Sequence, residues 1–257
     1  MSFLQVKTAD YVSVINISRP PANALSQGLL QELSNVLEEL ENNHETRVIV
    51  VRGEGRFFCA GADIKEFTTL SQEEDYRQLA KNGQDLLQYV ESYPKPIIAA
   101  IHGAALGGGL ELAMSCHMRF VSETAKLGLP ELQLGIIPGF AGTQRLPRYV
   151  GVGKACEMML TSEPISGMEA AKAGLANRAY PEEELFDKTM EFAYKIAKKS
   201  PISVAATLQL LKYANAESFY EGMQKEAELF GKVFASNDAK EGVAAFIEKR
   251  APNFKGI

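Results

Sequence analysis

The stretch Ala105-Leu106-Gly107-Gly108-Gly109-Leu110-Glu111-Leu112-Ala113 sets three glycines and one glutamate between apolar segments. Ahead of it, Pro96-Ile97-Ile98-Ala99-Ala100-Ile101 is short, apolar and partly β-branched, which predicts a buried strand. Behind it, Leu110 to Ser115 predicts the opening of a helix. A strand, a glycine turn and a helix start put bare backbone N–H groups at a positive helix end. Such a place holds an anion, or an oxygen on which negative charge develops during a reaction. A carboxylate such as Glu111 belongs beside that charge only if a proton is being moved. The stretch is not a phosphate loop, since no Lys-Ser or Lys-Thr follows, and it lacks the spacing of a dinucleotide fingerprint. Taken alone, a tight turn followed by an ordinary first-turn acid is the stronger reading.

A second segment reverses that balance. Arg47 to Val51 is a strong strand signal leading into Gly53-Glu54-Gly55-Arg56-Phe57-Phe58 and then Cys59-Ala60-Gly61-Ala62-Asp63-Ile64-Lys65. The small residues 60–62 again expose backbone at the carboxyl end of a strand, the edge where open α/β sheets place their ligands. Two strands ending in small-residue turns supply one N–H each to a single oxygen. Two donors and a carboxylate make a reaction site.

With these segments the chain resembles the crotonase (enoyl-CoA hydratase/isomerase) superfamily. The likeness runs from Ser18-Arg19-Pro20-Pro21-Ala22-Asn23-Ala24-Leu25 to Glu241-Gly242-Val243-Ala244-Ala245-Phe246-Ile247-Glu248-Lys249-Arg250, nearly the whole chain. Its most specific part ends in Pro130-Glu131-Leu132-Gln133-Leu134-Gly135-Ile136-Ile137-Pro138-Gly139 and Gly142-Thr143-Gln144-Arg145-Leu146. The resemblance implies an oxyanion hole at the N–H groups of Ala62 and Gly108 and catalytic carboxylates at Glu111 and Glu131. Glu111 would activate water, Glu131 would protonate the α-carbon, and the Gly139 amide would lie against the water. It implies substrate and coenzyme A contacts at Pro21, Ala22, Ala60, Asp63, Ile64 and Lys65. Phe246 and Lys249 would form a clamp from the C-terminal helix, over a neighbouring subunit's groove. Without the surrounding block, Glu131 would read as a helix cap or salt bridge, and Phe246 with Lys249 as a buried and a solvated helix residue. Against the family's common form the first loop, Arg19 to Asn23, is one residue shorter, which bears on the contacts of Pro21 and Ala22, and Phe140 stands where a small residue is also frequent, which touches acyl-chain selectivity.

The implied fold is α/β: a spiral core of β-β-α units over residues 1–195, carrying the active site, and an all-helical region over 196–257. That region builds a homotrimer or a hexamer of paired trimers. The implied activity is hydration of a 2-enoyl-CoA to a 3-hydroxyacyl-CoA, of fatty-acid β-oxidation type, with no cofactor and coenzyme A as part of the substrate. The alternatives are a double-bond isomerase or other crotonase-like acyl-CoA lyase, or a non-catalytic acyl-CoA or RNA binder. Retention of both glutamates favours hydration.

Composition agrees with an enzyme of ordinary globular type: 257 residues, 46% hydrophobic, 23% charged, enough to bury a substantial core. A net charge of −5 argues against nucleic acid as a partner. No apolar run approaches the roughly 18 residues that span a bilayer, and Met1 to Val6 lacks a signal-peptide core, so the expected location is cytoplasmic. Cys59, Cys116 and Cys156 read as reduced, semi-buried thiols, and Cys59 as a small core residue rather than a nucleophile. His44, His102 and His117 have no metal-ligand spacing, and His102 and His117 read as packed or hydrogen-bonded.

Positioning these residues requires a scaffold that alternates strand and helix. Strands are predicted at Tyr11 to Ser18 and at 47–51, 96–101 and 118–122. Leu29, Leu30, Leu33, Val36, Leu37 and Leu40 predict a helix over Leu25 to Glu41, and Phe67 to Tyr93 is polar and helical. From Gly151 onward the pattern predicts helices only, near 151–160, 166–173, 182–199, 201–215, 217–235 and 238–249.

Overall fold

A computed structural model describes residues 2–67, 72–213, 230 and 236–256, with the backbone alone for Lys65, Phe67, Phe246 and Ile247. Its main sheet joins β1 (Leu4–Ala9), β2 (Val12–Ile17), β3 (Val48–Gly53), β4 (Ile97–Ile101), β6 (Met118–Ser122) and β9 (Arg178–Tyr180) in the order β1-β2-β3-β4-β6-β9. The β1–β2 pair is antiparallel; the others are parallel. A smaller sheet joins β5 (Ala104–Leu106), β7 (Lys126–Gly128) and β8 (Ile165–Ser166).

The central strands are buried on both faces, which is why they read as continuous apolar runs rather than alternating ones. Ile49, Val51, Ile97, Ala99 and Ile101 face the large core with α1 (Gln27–Asn42), α3 (Glu73–Ser92) and α4 (Gly108–Ser115). Val48, Val50, Ile98, Ala100 and Phe120 face Leu185, Ala193 and Ala197 of α7 (Glu182–Ala197). Helix α1 forms where the sequence predicts it, because its apolar stripe fits this core and Ser26 Oγ caps it by accepting from Leu29 N–H at 3.2 Å. Among the described residues the further helices are α2 (Ile64–Phe67), α5 (Gly142–Thr161), α6 (Gly167–Lys172), α8 (Pro201–Leu211) and α9 (Asn237–Glu248).

Several expectations need correction. The region after Gly151 is not helical throughout: β8 and β9 lie within it, two and three residues long. Strands that short carry no readable period and exist because β7 and β6 offer them an edge. The helix expected near 151–160 is present, but Gly151 at φ 75, ψ 159 only kinks it away from a further helical segment that opens at Gly142. Cys156 is exposed, while Cys59 and Cys116 are buried. The helix expected at 217–235 lies outside the described residues except for Phe230, which is exposed.

His102 Nε2 pairs with Gly55 O at 2.8 Å, and His117 Nδ1 accepts from Ile97 N–H at 3.0 Å, so both are hydrogen-bonded as expected. Burial pushes the Cys59 thiol up to about 12, the behaviour of an inert core residue. No helix among the described residues is long and apolar enough to cross a membrane.

Candidate active site

The three glycines each meet a separate demand. Gly107 adopts φ 50, ψ −127, a conformation that a side chain disfavours, and turns the chain from β5 into α4. A methyl group at Gly108 would stand 3.3 Å from Ala62 N and 3.4 Å from the Phe140 ring. At Gly109 it would stand 2.2 Å from Cys59 O, so only glycine lets α4 approach the 59–62 segment this closely.

That segment is held on both sides. Cys59 exchanges bonds with β5, its N–H to Ala104 O and its carbonyl from Leu106 N–H, both 3.1 Å. On the other side Leu25 N–H donates to Gly61 O at 2.8 Å, and Asp63 N–H donates to Leu25 O at 2.9 Å. In extended backbone successive N–H groups alternate sides, so these two bonds direct Ala62 N–H away from Leu25, toward Gly108. Gly108 opens α4, where an N–H has no intrahelical acceptor.

Glu111 stands in the first turn of α4 and is 1% exposed. Its Oε1 accepts from Phe140 N–H at 2.8 Å and from Gly142 N–H at 2.7 Å. Burial lifts its pKa from the ordinary 4.5 to about 7; the Gly142 bond opposes this, the nearby Glu131 charge adds to it, and the Phe140 bond and Arg145 oppose it again. Glu131 opens a single 3-10 turn, Glu131–Leu134. Burial raises its pKa too, and its Oε2 is buried with no hydrogen-bond partner among the described residues. A methyl group at Gly107 would lie 3.0 Å from Glu131 Oε1, which places this carboxyl at the mouth of the glycine turn.

Both carboxyls line one cavity of about 890 Å³, together with Ala60, Ala62, Ile64, Gly108, Gly139 and Phe140. Tyr76, Leu79 and Ala80 of α3 and the 134–138 loop complete a largely apolar wall. Pro21, Ala22 and Asp63 do not line it. Asp63 forms an ion pair with Arg19 at 2.5 Å, and Ala22 O accepts from Ala60 N–H at 3.0 Å, so both brace the 60–63 segment from behind. The side chains of Lys65 and Phe246 lie outside the described residues. Lys249 is exposed just beyond α9 and does not line the cavity. Sequence reasoning assigned no role to Arg145 or Glu91, which meet behind Phe140; Arg145 lies within the quoted block, yet its spacing gave no sign of this contact.

A cavity lined by Ala62 and Gly108 and by two carboxyls whose pKa values are raised has the chemistry to stabilise an oxyanion while moving a proton. The chain belongs to the enoyl-CoA hydratase/isomerase family, whose model matches residues 7–257. It is 57% identical to a probable enoyl-CoA hydratase of Bacillus subtilis (strain 168), covering 100% of both chains. It is 38% identical to a 2,3-dehydroadipyl-CoA hydratase of Escherichia coli (strain K12), again over 100% of both. The fold matches a crystal structure of enoyl-CoA hydratase from Bacillus anthracis with a TM-score of 0.94, at 41% identity and 100% coverage of each chain.

Proposed function

We propose that this protein adds water across the 2,3 double bond of a 2-enoyl-CoA to give a 3-hydroxyacyl-CoA. The observation that carries the reading is the meeting of Glu111, Glu131, Ala62 and Gly108 in one apolar cavity. Attack of water at C3 drives negative charge onto the thioester oxygen. The N–H groups of Ala62 and Gly108 take up that charge; one such donor is worth on the order of 3 kcal/mol in the barrier. Glu111, as carboxylate, accepts a proton from the water as its oxygen bonds to C3. Glu131, as carboxylic acid, delivers a proton to C2, so one water is consumed and no charge is left over. The two glutamates titrate as a coupled pair. Gly139 lies against the attacking water.

The same reading extends to the rest of the molecule. Residues 1–195 form the catalytic core and 196–257 the assembling region, with Phe246 and Lys249 clamping coenzyme A on a neighbour in a trimer or hexamer. Ala60, Ile64 and Lys65 line the path of the coenzyme, and Ala22 and Asp63 support it by bracing the 60–63 segment. The enzyme acts in the cytoplasm in fatty-acid β-oxidation and uses no metal or redox cofactor. Loss of enoyl-thioester absorbance with crotonyl-CoA and longer homologues, with the product identified by mass, tests the activity; an unchanged thioester overturns it. EDTA should leave the rate unaltered, and light scattering should report a trimer or hexamer. Survival of 3-enoyl-CoA isomerisation in Glu111→Gln, with hydration alone abolished, would instead favour the isomerase.

A further inference from the structure

Glu111 owes its orientation to two N–H groups, from Phe140 and Gly142, that flank a strained residue. Ala141, between them, sits at φ 69, ψ 26, the left-handed region that a non-glycine residue disfavours. Something must hold this turn. Arg145, one helical turn later, is 4% exposed and reaches back, its Nη1 donating to Phe140 O at 2.8 Å. Its other edge pairs with Glu91 of α3: Nε and Nη2 each lie 2.9 Å from Glu91 Oε2. The exposed Arg148 also meets Glu91, at 3.2 Å. The Phe140 ring leaves room for nothing larger than Gly83 on α3, where a methyl group would stand 2.2 Å from it.

We propose that Arg145, anchored by Glu91, is a positioning residue for the reaction: it clamps the Phe140 carbonyl so that the strained 140–142 turn keeps both N–H groups on Glu111 Oε1. This rests on hydratase activity as read above. A guanidinium is suited to the task because its fixed fork binds a carboxylate and a carbonyl at once, whereas an ammonium is a single point charge. The arrangement fixes Oε1 and leaves the other carboxylate oxygen for water. Arg145 has a second effect through its charge. The ionisable groups bearing on Glu111 are Glu131 from the 3-10 turn, which disfavours ionisation, and Arg145 from α5, which favours it, with Glu91 and Arg148 behind Arg145. Loss of the cation should therefore move the acid limb of the rate profile upward.

The test measures kcat, KM and the pH profile of crotonyl-CoA hydration for the parent, Arg145→Met, Arg145→Lys and Glu91→Gln. Arg145→Met should lower kcat about ten-fold or more, leave KM within about three-fold and raise the acid limb by about half a pH unit. Arg145→Lys and Glu91→Gln keep the cation, so each should lose less kcat with no upward shift of the acid limb; if the Met variant does not fold, a kcat within about two-fold of the parent in both overturns the proposal. For Arg145→Met, a kcat within about two-fold of the parent, or a lower kcat with an unmoved acid limb, overturns the positioning role. A parent enzyme that does not hydrate the thioester overturns the underlying reading instead.

Discussion

Two glutamates reach the same cavity from different kinds of element. Glu111 projects from a helix buried along its whole length, and its Oε1 is fixed by two backbone donors. Glu131 opens a one-turn 3-10 helix whose neighbours Leu132, Leu134, Ile136 and Ile137 are exposed, and its Oε2 has no partner among the described residues. The difference fits the division of labour proposed for the two residues. A base that must activate water in one direction needs a fixed oxygen, which helix and turn supply together. An acid that must hold and release a proton needs an oxygen left open toward the substrate, in surroundings that disfavour its charge.

The largest effects should come from the carboxyls themselves. Glu111→Gln and Glu131→Gln should each lower kcat by about a thousand-fold while acyl-CoA affinity, measured by calorimetry, stays close to that of the parent. Near-parent hydration by either variant would remove its glutamate from the mechanism. A smaller loss, about a hundred-fold in kcat, is expected for Gly142→Ala. Its methyl group would stand 2.8 Å from Glu111 Oε1 and push the fixed carboxylate off its donors. A Gly142→Ala enzyme at parent speed would show that Glu111 does not need that anchorage.

The pH dependence separates the two residues further. If Glu111 acts ionised, the rate should rise with pH through about 7, its raised value in the folded protein. Stability should move the other way. A carboxyl whose pKa is about 7 folded against 4.5 ordinarily binds its proton more tightly when folded. That stabilisation is full below about 4.5 and is lost as pH rises through about 7. Glu111→Gln is neutral throughout and keeps a carbonyl oxygen for the two donors. Its Tm should therefore exceed the parent's by a few degrees at pH 8 and converge on it near pH 5. A Tm difference that is the same at both pH values would show that Glu111 does not carry the raised pKa. The smallest effect is expected at the exposed rim: Ile137, 73% exposed, contributes apolar surface but no chemistry. Ile137→Ser should raise KM about three-fold with kcat unchanged, and a large fall in kcat would show that the 134–138 loop does more than line the cavity.

The sequence by itself carried the outline of the fold and the placement of Glu111. Continuous apolar runs marked β3 and β4 because strands buried on both faces need no polar alternation. The three glycines marked a strand-to-helix turn because bare backbone and left-handed torsion are properties of residue type. Family resemblance, rather than periodicity, singled out Glu131, since a glutamate after proline in a short turn has no pattern of its own. What only the tertiary structure decided is what distant segments do to one another. The 59–62 segment is held between β5 and Leu25, residues more than thirty positions away on each side. The short strands β8 and β9 exist because an edge was waiting for them. Arg145 meets Glu91 and Phe140 only when α5 packs beside α3. Residue type and spacing encode local torsion and which face is apolar. Burial of a carboxyl, and the donors that hold it, depend on what packs around it, and that is settled only when the chain closes on itself.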